Sequence, residues 1–125
     1  MAEANSVARG IVLLAHGSRD ERWREPIEAV AARMQALDPS VQVRCAYLEL
    51  ATPDLHGATA ALVEAGAWTI RVVPLFLGMG KHAREDIPRQ FEQLRAAWPL
   101  VAFSLAPAVG ENPEVIELLA RIASK

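Results

Sequence analysis

Two histidines and one glutamate recur at equal spacing, each in a short polar segment after a run of apolar residues. His16 and Glu49 are 33 positions apart, and Glu49 and His82 are another 33 apart. Imidazole and carboxylate groups are good ligands for first-row divalent metals, and they also act as general bases near neutral pH. The set predicts either a divalent-metal site or a site of proton transfer.

Taken singly, each of these residues has an ordinary structural interpretation. His16 alone could be a loop residue that forms hydrogen bonds, and Glu49 alone could favour the dipole of the next helix. His82 alone could cap a helix or order a loop. Their joint placement is what favours a site. His56 falls inside a predicted helix and is interpreted as a solvated or packing residue.

The elements that would position these residues alternate regularly along the chain. Short apolar runs predict strands, and apolar residues recurring at i, i+3, i+4 and i+7 predict helices between them. The predicted strands cover residues 11–15, 41–48, 69–76 and 100–105. The order is βαβαβαβα, which predicts an α/β fold: a single-lobe, open parallel four-stranded sheet with helices on both faces, a flavodoxin/Rossmann-type three-layer sandwich.

Turn and capping residues set the predicted ends of the helices. Thr52-Pro53 predicts the start of the second helix, and Gly66 its stop. The loop 78–82 would lead, after His82, into a third helix. The apolar face of that helix is predicted to carry Ile87, Phe91, Leu94 and Trp98.

Asn112-Pro113 predicts the cap and first residue of a fourth helix. Its apolar residues, which we expect to face inward, are Val115, Leu118, Leu119 and Ile122.

Ligands of open parallel sheets bind outside the carboxyl ends of the strands. His16, Glu49 and His82 follow three consecutive strands, so we expect all three at that edge.

Length and composition bound the remaining possibilities. The 125 residues fit one domain, predicted over residues 10–125 after a flexible leader at 1–9. The 13 basic and 15 acidic residues give a net charge of −2, which disfavours a nucleic-acid binder. No apolar run approaches the ~18 residues needed to span a membrane. The single Cys45 predicts a buried, inert thiol and a reducing, cytoplasmic setting.

Other catalytic templates do not fit this sequence. Ser18 has no G-x-S-x-G elbow around it, and Gly78-Met79-Gly80 matches neither a P-loop nor a dinucleotide fingerprint. One cysteine excludes a closed structural zinc site of several thiolates.

Three segments resemble the signatures of a known family, the class II tetrapyrrole chelatases and specifically the small CbiX-type sirohydrochlorin chelatases. The similar segments cover residues 14–19 (LAHGSR), 47–53 (YLELATP) and 73–88, the last with VPLFL, GKH and DIP. Met79, Lys81 and Ala83 depart from the family pattern only in the loop. The resemblance extends over nearly the whole chain from Gly10 onward.

The resemblance implies insertion of a divalent metal into sirohydrochlorin, toward cobalamin or sirohaem. His16 and His82 would then be the metal-binding and catalytic histidines, with Glu49 as the accompanying carboxylate. Sirohydrochlorin carries eight carboxylates, so the rim of its pocket needs cations. The residues expected to bind the substrate are Arg19, Arg84, Lys81, Ser18 and Gly80.

The resemblance also implies what accompanies the protein. No cofactor is expected to be permanently bound, because the divalent metal (Co²⁺, or Fe²⁺ or Ni²⁺) is a substrate. One four-stranded lobe offers only one wall to a flat tetrapyrrole, so a homodimer is expected. Two alternatives stay open: a Co²⁺ or Ni²⁺ carrier or sensing module without chemistry, and the same chelatase acting on Fe²⁺ or Ni²⁺.

Overall fold

The structure, a computed structural model, describes residues 9–125. Four parallel strands form one sheet in the order β2-β1-β3-β4. The strands are β1 (Arg9–Ala15), β2 (Val41–Tyr47), β3 (Thr69–Pro74) and β4 (Ala102–Leu105). The helices are α1 (Glu25–Leu37), α2 (Leu55–Glu64), α3 (Lys81–Ala97) and α4 (Pro113–Ala123), with short 3-10 turns at Glu21–Arg24 and Val109–Glu111. The predicted fold class is confirmed.

Apolar residues on both faces of β1 place the helices on the two sides of the sheet. Val12 and Leu14 belong to a core that includes residues of α2 and α3. Ile11 and Leu13 point the other way and form a smaller core beneath α1. Alternation along a strand sends neighbouring side chains to opposite faces, so a wholly apolar strand is covered on both.

Helix α2 begins at Leu55, and Asp54 is its N-cap. The Asp54 carboxylate accepts a hydrogen bond from the Gly57 backbone N–H at 2.8 Å. The prediction that Thr52-Pro53 starts this helix is wrong, because the Pro53 carbonyl accepts a bond from the Tyr47 N–H and stays beside the end of β2. Gly66, with φ +99°, follows the helix as predicted.

Helix α3 begins at Lys81, so the predicted loop through His82 is two residues too long. Gly80 is the N-cap, in an extended conformation, and His82 lies in the first helical turn. Trp98 was predicted on the apolar face of this helix. The structure places it at the C-cap of α3, partly buried against the same core as Ile87, Phe91 and Leu94, and its ring also lies beside the His56 ring with the centroids 4.9 Å apart.

Helix α4 begins at the predicted cap, where the Asn112 side chain accepts a bond from the Glu114 N–H at 2.8 Å. The inward orientation predicted for its apolar residues is wrong: Leu118, Leu119 and Ile122 are all exposed. The turn before the helix explains this, because the Gly110 N–H binds the Phe76 carbonyl at 2.9 Å. This bond holds the start of α4 at the edge of the sheet, and the principal contacts of α4 are with that turn.

Most of the predicted leader, residues 1–8, lies outside the described residues, whereas Arg9 is the first residue of β1. Within residues 9–125, no helix is long and apolar enough to cross a membrane.

Candidate functional site

The sheet order creates a switch point at the carboxyl ends of β1 and β3. From β1 the chain passes through α1 to β2 on one side, and from β3 it passes through α3 to β4 on the other. Loops that separate in this way leave a crevice, which is where open α/β sheets bind ligands. His16 directly follows β1, and the segment after β3 leads to His82. Glu49 follows β2, the neighbouring strand.

Backbone hydrogen bonds join the segments that carry His16 and Glu49. The Leu48 N–H binds the Ala15 carbonyl at 2.9 Å, and the Glu49 N–H binds the His16 carbonyl at 3.0 Å. The pairing of β1 with β2 therefore continues past the ends of both strands. The relative position of these two predicted ligands is set by the main chain.

Gly17 makes this close approach possible. Its φ is +106°, which side-chain-bearing residues rarely adopt, and a Cβ there would lie 1.7 Å from the Glu49 carbonyl oxygen. Sequence reasoning missed this role, although a glycine directly after a candidate ligand was the available signal. Leu50, on the other side of Glu49, also has a positive φ of 63°. A loop with such backbone angles fits a functional site better than a free connection.

The His16 side chain rests on an aromatic ring. The centroids of His16 and the buried Phe76 are 4.5 Å apart, with the ring planes inclined at 52°. This contact limits the rotation of the imidazole while its edge stays accessible, since His16 is exposed. The sequence alone does not assign this role to Phe76. In the structure it supports the imidazole.

His82 projects from the first turn of α3, beside two cationic residues. Lys81, His82 and Arg84 are all exposed, whereas Ala83 between them is buried and fixes that side of the helix against the core. No side chain caps this helix. The backbone N–H groups of the first turn favour negative charge, as do Lys81 and Arg84.

The segment after His16 is ordered by its own side chains. The Ser18 hydroxyl accepts a bond from the Asp20 N–H at 3.0 Å, and the Asp20 carboxylate accepts one from the Arg22 N–H at 2.9 Å. Arg19 is exposed and can reach a ligand, while Arg24 pairs with Glu21 at 3.8 Å. Arg19 is therefore more available to a ligand than Arg24.

His16, Glu49 and His82 lie at one edge of the sheet, but they do not form a closed cluster. All three are exposed. Among residues 9–125, no three His, Cys, Asp or Glu side chains are grouped closely enough to hold a metal ion together. The arrangement is an open ledge with candidate donors on three separate segments.

Two titratable groups on β2 have a raised pKa. Cys45 on β2 is half-buried, and burial raises the pKa of its thiol, with a further contribution from the Glu28 carboxylate. Burial likewise raises the pKa of the Tyr47 hydroxyl. His56 lies near the start of α2, where its side chain is exposed and also contacts the Trp98 ring, in agreement with its interpretation as a solvated or packing residue.

Comparison with known proteins identifies relatives of two lengths. The chain is 30% identical over 116 residues to a sirohydrochlorin cobaltochelatase of Sulfolobus acidocaldarius, an alignment covering 93% of this chain and 90% of that protein. It is also 30% identical over 110 residues to a sirohydrochlorin ferrochelatase of Priestia megaterium, covering 87% of this chain but 41% of that protein. The chain thus spans nearly all of one relative and less than half of the other.

Solved structures show the same division. A Marinobacter aquaeolei protein named after CbiX and cobalamin (vitamin B12) biosynthesis has a TM-score of 0.79 and 35% identity, covering 93% of this chain and 94% of that one. The sirohydrochlorin chelatase SirB of Bacillus subtilis subspecies spizizenii, solved in complex with cobalt, has a TM-score of 0.78 and 27% identity, covering 93% of this chain and 50% of that one. The CbiX family model matches residues 10–125. The chain belongs to the CbiX family.

Proposed function

We propose that this protein is a sirohydrochlorin chelatase that inserts a divalent metal, preferentially Co²⁺, into sirohydrochlorin for cobalamin or sirohaem synthesis. The observation that carries the proposal is the placement of two exposed imidazoles, His16 and His82, on the segments that flank the β1–β3 switch point. Family membership supports it, and relatives named as chelatases of this substrate supply the substrate class.

Metal insertion exchanges two pyrrole protons for one dication. Neutral imidazole can hold the incoming ion or accept a proton at neutral pH. In the proposal, His16 and His82 perform these two tasks on one face of the macrocycle. Glu49 lowers the charge cost of the dication and accepts a proton. The ion is a substrate, and donors on three separate segments suit a site that must release it.

Cationic side chains beside the ledge would form ion pairs with the carboxylates of the substrate. Arg19 follows His16, and Lys81 and Arg84 flank His82, all three exposed. Arginine forms bidentate pairs with carboxylates, so Arg19 and Arg84 carry most of this binding in the proposal. Ser18 and Gly80 contribute a hydroxyl and a backbone without a side chain at the same rim. A cytoplasmic setting belongs to the proposal too, because the only cysteine of the chain is unpaired.

A homodimer completes the proposal. The ledge of one chain offers one wall to a flat macrocycle, and a second copy would supply the other. The relatives of greater length support this idea, because this chain matches about half of each of them.

The same chelatase acting on Fe²⁺ is the second candidate, favoured by the 30% identity to the Priestia megaterium ferrochelatase. Imidazole and carboxylate accept Co²⁺, Fe²⁺ and Ni²⁺ alike. A carrier or sensing module is the remaining alternative, but it gives no role to the cationic residues around the ledge.

The test mixes protein, sirohydrochlorin and one metal at a time, and follows the visible spectrum against a protein-free control. We expect insertion to be accelerated with all three ions and fastest with Co²⁺. Faster insertion of Fe²⁺ than of Co²⁺, measured without oxygen, would reverse the proposed metal preference but would still support the chelatase reaction. Metal binding without acceleration over the control for any ion would favour the carrier and refute the chelatase.

A further inference from the structure

Strand β2 is the outermost strand on its side of the sheet, because it pairs only with β1. The Leu48 N–H donates to the Ala15 carbonyl, so the even-numbered residues of this segment direct their backbone N–H and C=O groups toward β1. The odd-numbered residues therefore direct theirs outward. The sequence of β2, VQVRCAY, contains one charged residue and no proline, although charges and prolines are the usual means of keeping an edge strand from pairing with another strand.

A glutamine of α1 takes the place of a neighbouring strand over the first half of β2. The Gln35 amide nitrogen donates to the Val41 carbonyl at 2.6 Å, and the Gln35 side-chain oxygen accepts from the Val43 N–H at 2.8 Å. A paired strand would offer the same donor and the same acceptor to this edge. Because a primary amide carries both groups, one Gln35 side chain reproduces the hydrogen bonding of a strand.

The turn between α1 and β2 holds Gln35 in this position. The Asp38 carboxylate accepts hydrogen bonds from the Ser40 N–H at 3.1 Å and from the Ser40 hydroxyl at 2.6 Å. The Asp38 carbonyl accepts a bond from the Val41 N–H at 3.2 Å, which fixes the first residue of β2 beside the last turn of α1. Gln35 lies in that last turn and is partly buried. Its contact with β2 is therefore formed within one chain and needs no partner.

The other end of β2 is closed by its own loop, since the Tyr47 N–H donates to the Pro53 carbonyl at 3.0 Å. Between the two closures, the Val43 carbonyl and both backbone groups of Cys45 face outward without a hydrogen-bond partner in the part of the chain that the structure describes, residues 9–125. The open stretch of the edge is therefore about three backbone groups long.

We propose that Gln35 keeps β2 from pairing with the β2 strand of a second copy. If the Gln35 amide is removed, the open stretch extends from Cys45 back to Val41. A two-fold axis at Cys45 then places the Cys45 N–H of each copy opposite the Cys45 carbonyl of the other, so two identical edges satisfy each other as an antiparallel pair. This inference does not rest on the proposed function.

The test compares the wild-type chain with Gln35→Met, which keeps the length of the side chain and removes both hydrogen-bonding groups. In the wild type, amide hydrogen exchange should be slow at Val43 and fast at Cys45. In Gln35→Met the Val43 N–H should exchange roughly tenfold faster, as expected for the loss of one hydrogen bond. Light scattering should give a molar mass above that of the wild type, increasing with concentration. Gln93→Met on exposed α3 is the matched control and should change neither quantity.

Cross-linking identifies the surface through which the copies associate. Cys45 is the only cysteine of the chain, so a short bis-maleimide that joins two copies reports on the β2 edge. We expect joined copies for Gln35→Met and none for the wild type or Gln93→Met, with labelling by a monofunctional maleimide as the correction for thiol reactivity. Far-UV circular dichroism checks folding, and Gln35→Ala repeats the test with a smaller side chain.

Three results would overturn the proposal. Equally fast exchange of the Val43 and Cys45 N–H groups in the wild type would show that Gln35 does not cover the edge. Faster exchange at Val43 in Gln35→Met at the wild-type molar mass would show that the two hydrogen bonds stabilise the strand without preventing any pairing. Association of Gln35→Met without a link through Cys45 would show that another surface joins the copies. The chelatase assay is independent of each of these outcomes.

Discussion

Gly17→Ala is the substitution with the largest effect expected from a single added methyl group. The new Cβ would lie 1.7 Å from the Glu49 carbonyl oxygen, and Cβ atoms essentially never approach another atom within 3.0 Å, so the two segments must separate by more than about 1 Å. That displacement removes the bond from the Glu49 N–H to the His16 carbonyl. The relative position of the two predicted ligands is then lost.

The expected cost has two contributions. A residue with a side chain at a strained positive φ loses about 1–3 kcal/mol, and the broken hydrogen bond is worth about 0.5–1.5 kcal/mol. The sum is about 1.5–4.5 kcal/mol, which for a chain of this size lowers Tm by roughly 10 °C. A misplacement on the order of 1 Å near the reacting groups can reduce a rate by about 10²-fold.

Thermal unfolding and metal insertion into sirohydrochlorin are measured on the same samples. Gly78→Ala is the matched control, because nothing lies within 4 Å of a Cβ at that position, and it should change neither quantity appreciably. A Gly17→Ala protein with wild-type Tm would refute the steric reasoning. A lowered Tm with an unchanged insertion rate would show that the alignment of His16 with Glu49 does not matter for the chemistry.

Three further expectations concern the rim, a helix cap and the thiol. Arg19→Glu and Arg84→Glu should raise the KM for sirohydrochlorin severalfold with little change in Tm, unlike Arg33→Glu on α1, and unchanged KM values would remove these residues from the rim. Asp54→Ala should lower the free energy of unfolding by about 1 kcal/mol in a denaturant titration, because it deletes the N-cap of α2, while the exposed Glu85→Ala should not. Cys45 should react with a thiol reagent more slowly than free cysteine at pH 8, because its raised pKa leaves less thiolate. The reaction rate should increase with pH, and also in Glu28→Gln, which removes a negative charge that raises the pKa. A rate equal to that of free cysteine would contradict the effect of burial on this thiol.

The strands were predictable because their signal is local. The wholly apolar 11–15 segment is short and contains β-branched residues, which favours a strand covered on both faces, and the i, i+3, i+4 stripes indicate the helices between strands. The placement of His16, Glu49 and His82 at one edge of the sheet follows from the parallel direction of the strands alone. These parts of the fold require no knowledge of tertiary contacts.

The remaining features depend on contacts between segments distant in sequence. The start of α2 moves to Asp54 because Pro53 is bonded to Tyr47 across the chain. Helix α4 was predicted to face inward from its apolar stripe, but the stripe does not specify which chain buries it. The roles of Gly17 and Phe76 arise only when the loops after β1, β2 and β3 meet. The hydrophobic pattern of a sequence predicts which side chains are apolar enough to be buried, but only the tertiary structure shows which segments cover them.

In the proposed function His16 and His82 carry out metal insertion, and single-turnover kinetics of Co²⁺ insertion measure the contribution of each. His16→Ala and His82→Ala proteins, shown to be folded by their wild-type Tm, are compared with His56→Ala, which removes the exposed imidazole beside Trp98. We expect the rate to fall by at least about 10²-fold in each of the first two variants, in line with the usual contribution of general acid–base groups, and to stay at the wild-type value in His56→Ala. Folded His16→Ala and His82→Ala proteins that insert Co²⁺ at the wild-type rate would refute the roles proposed for the two histidines.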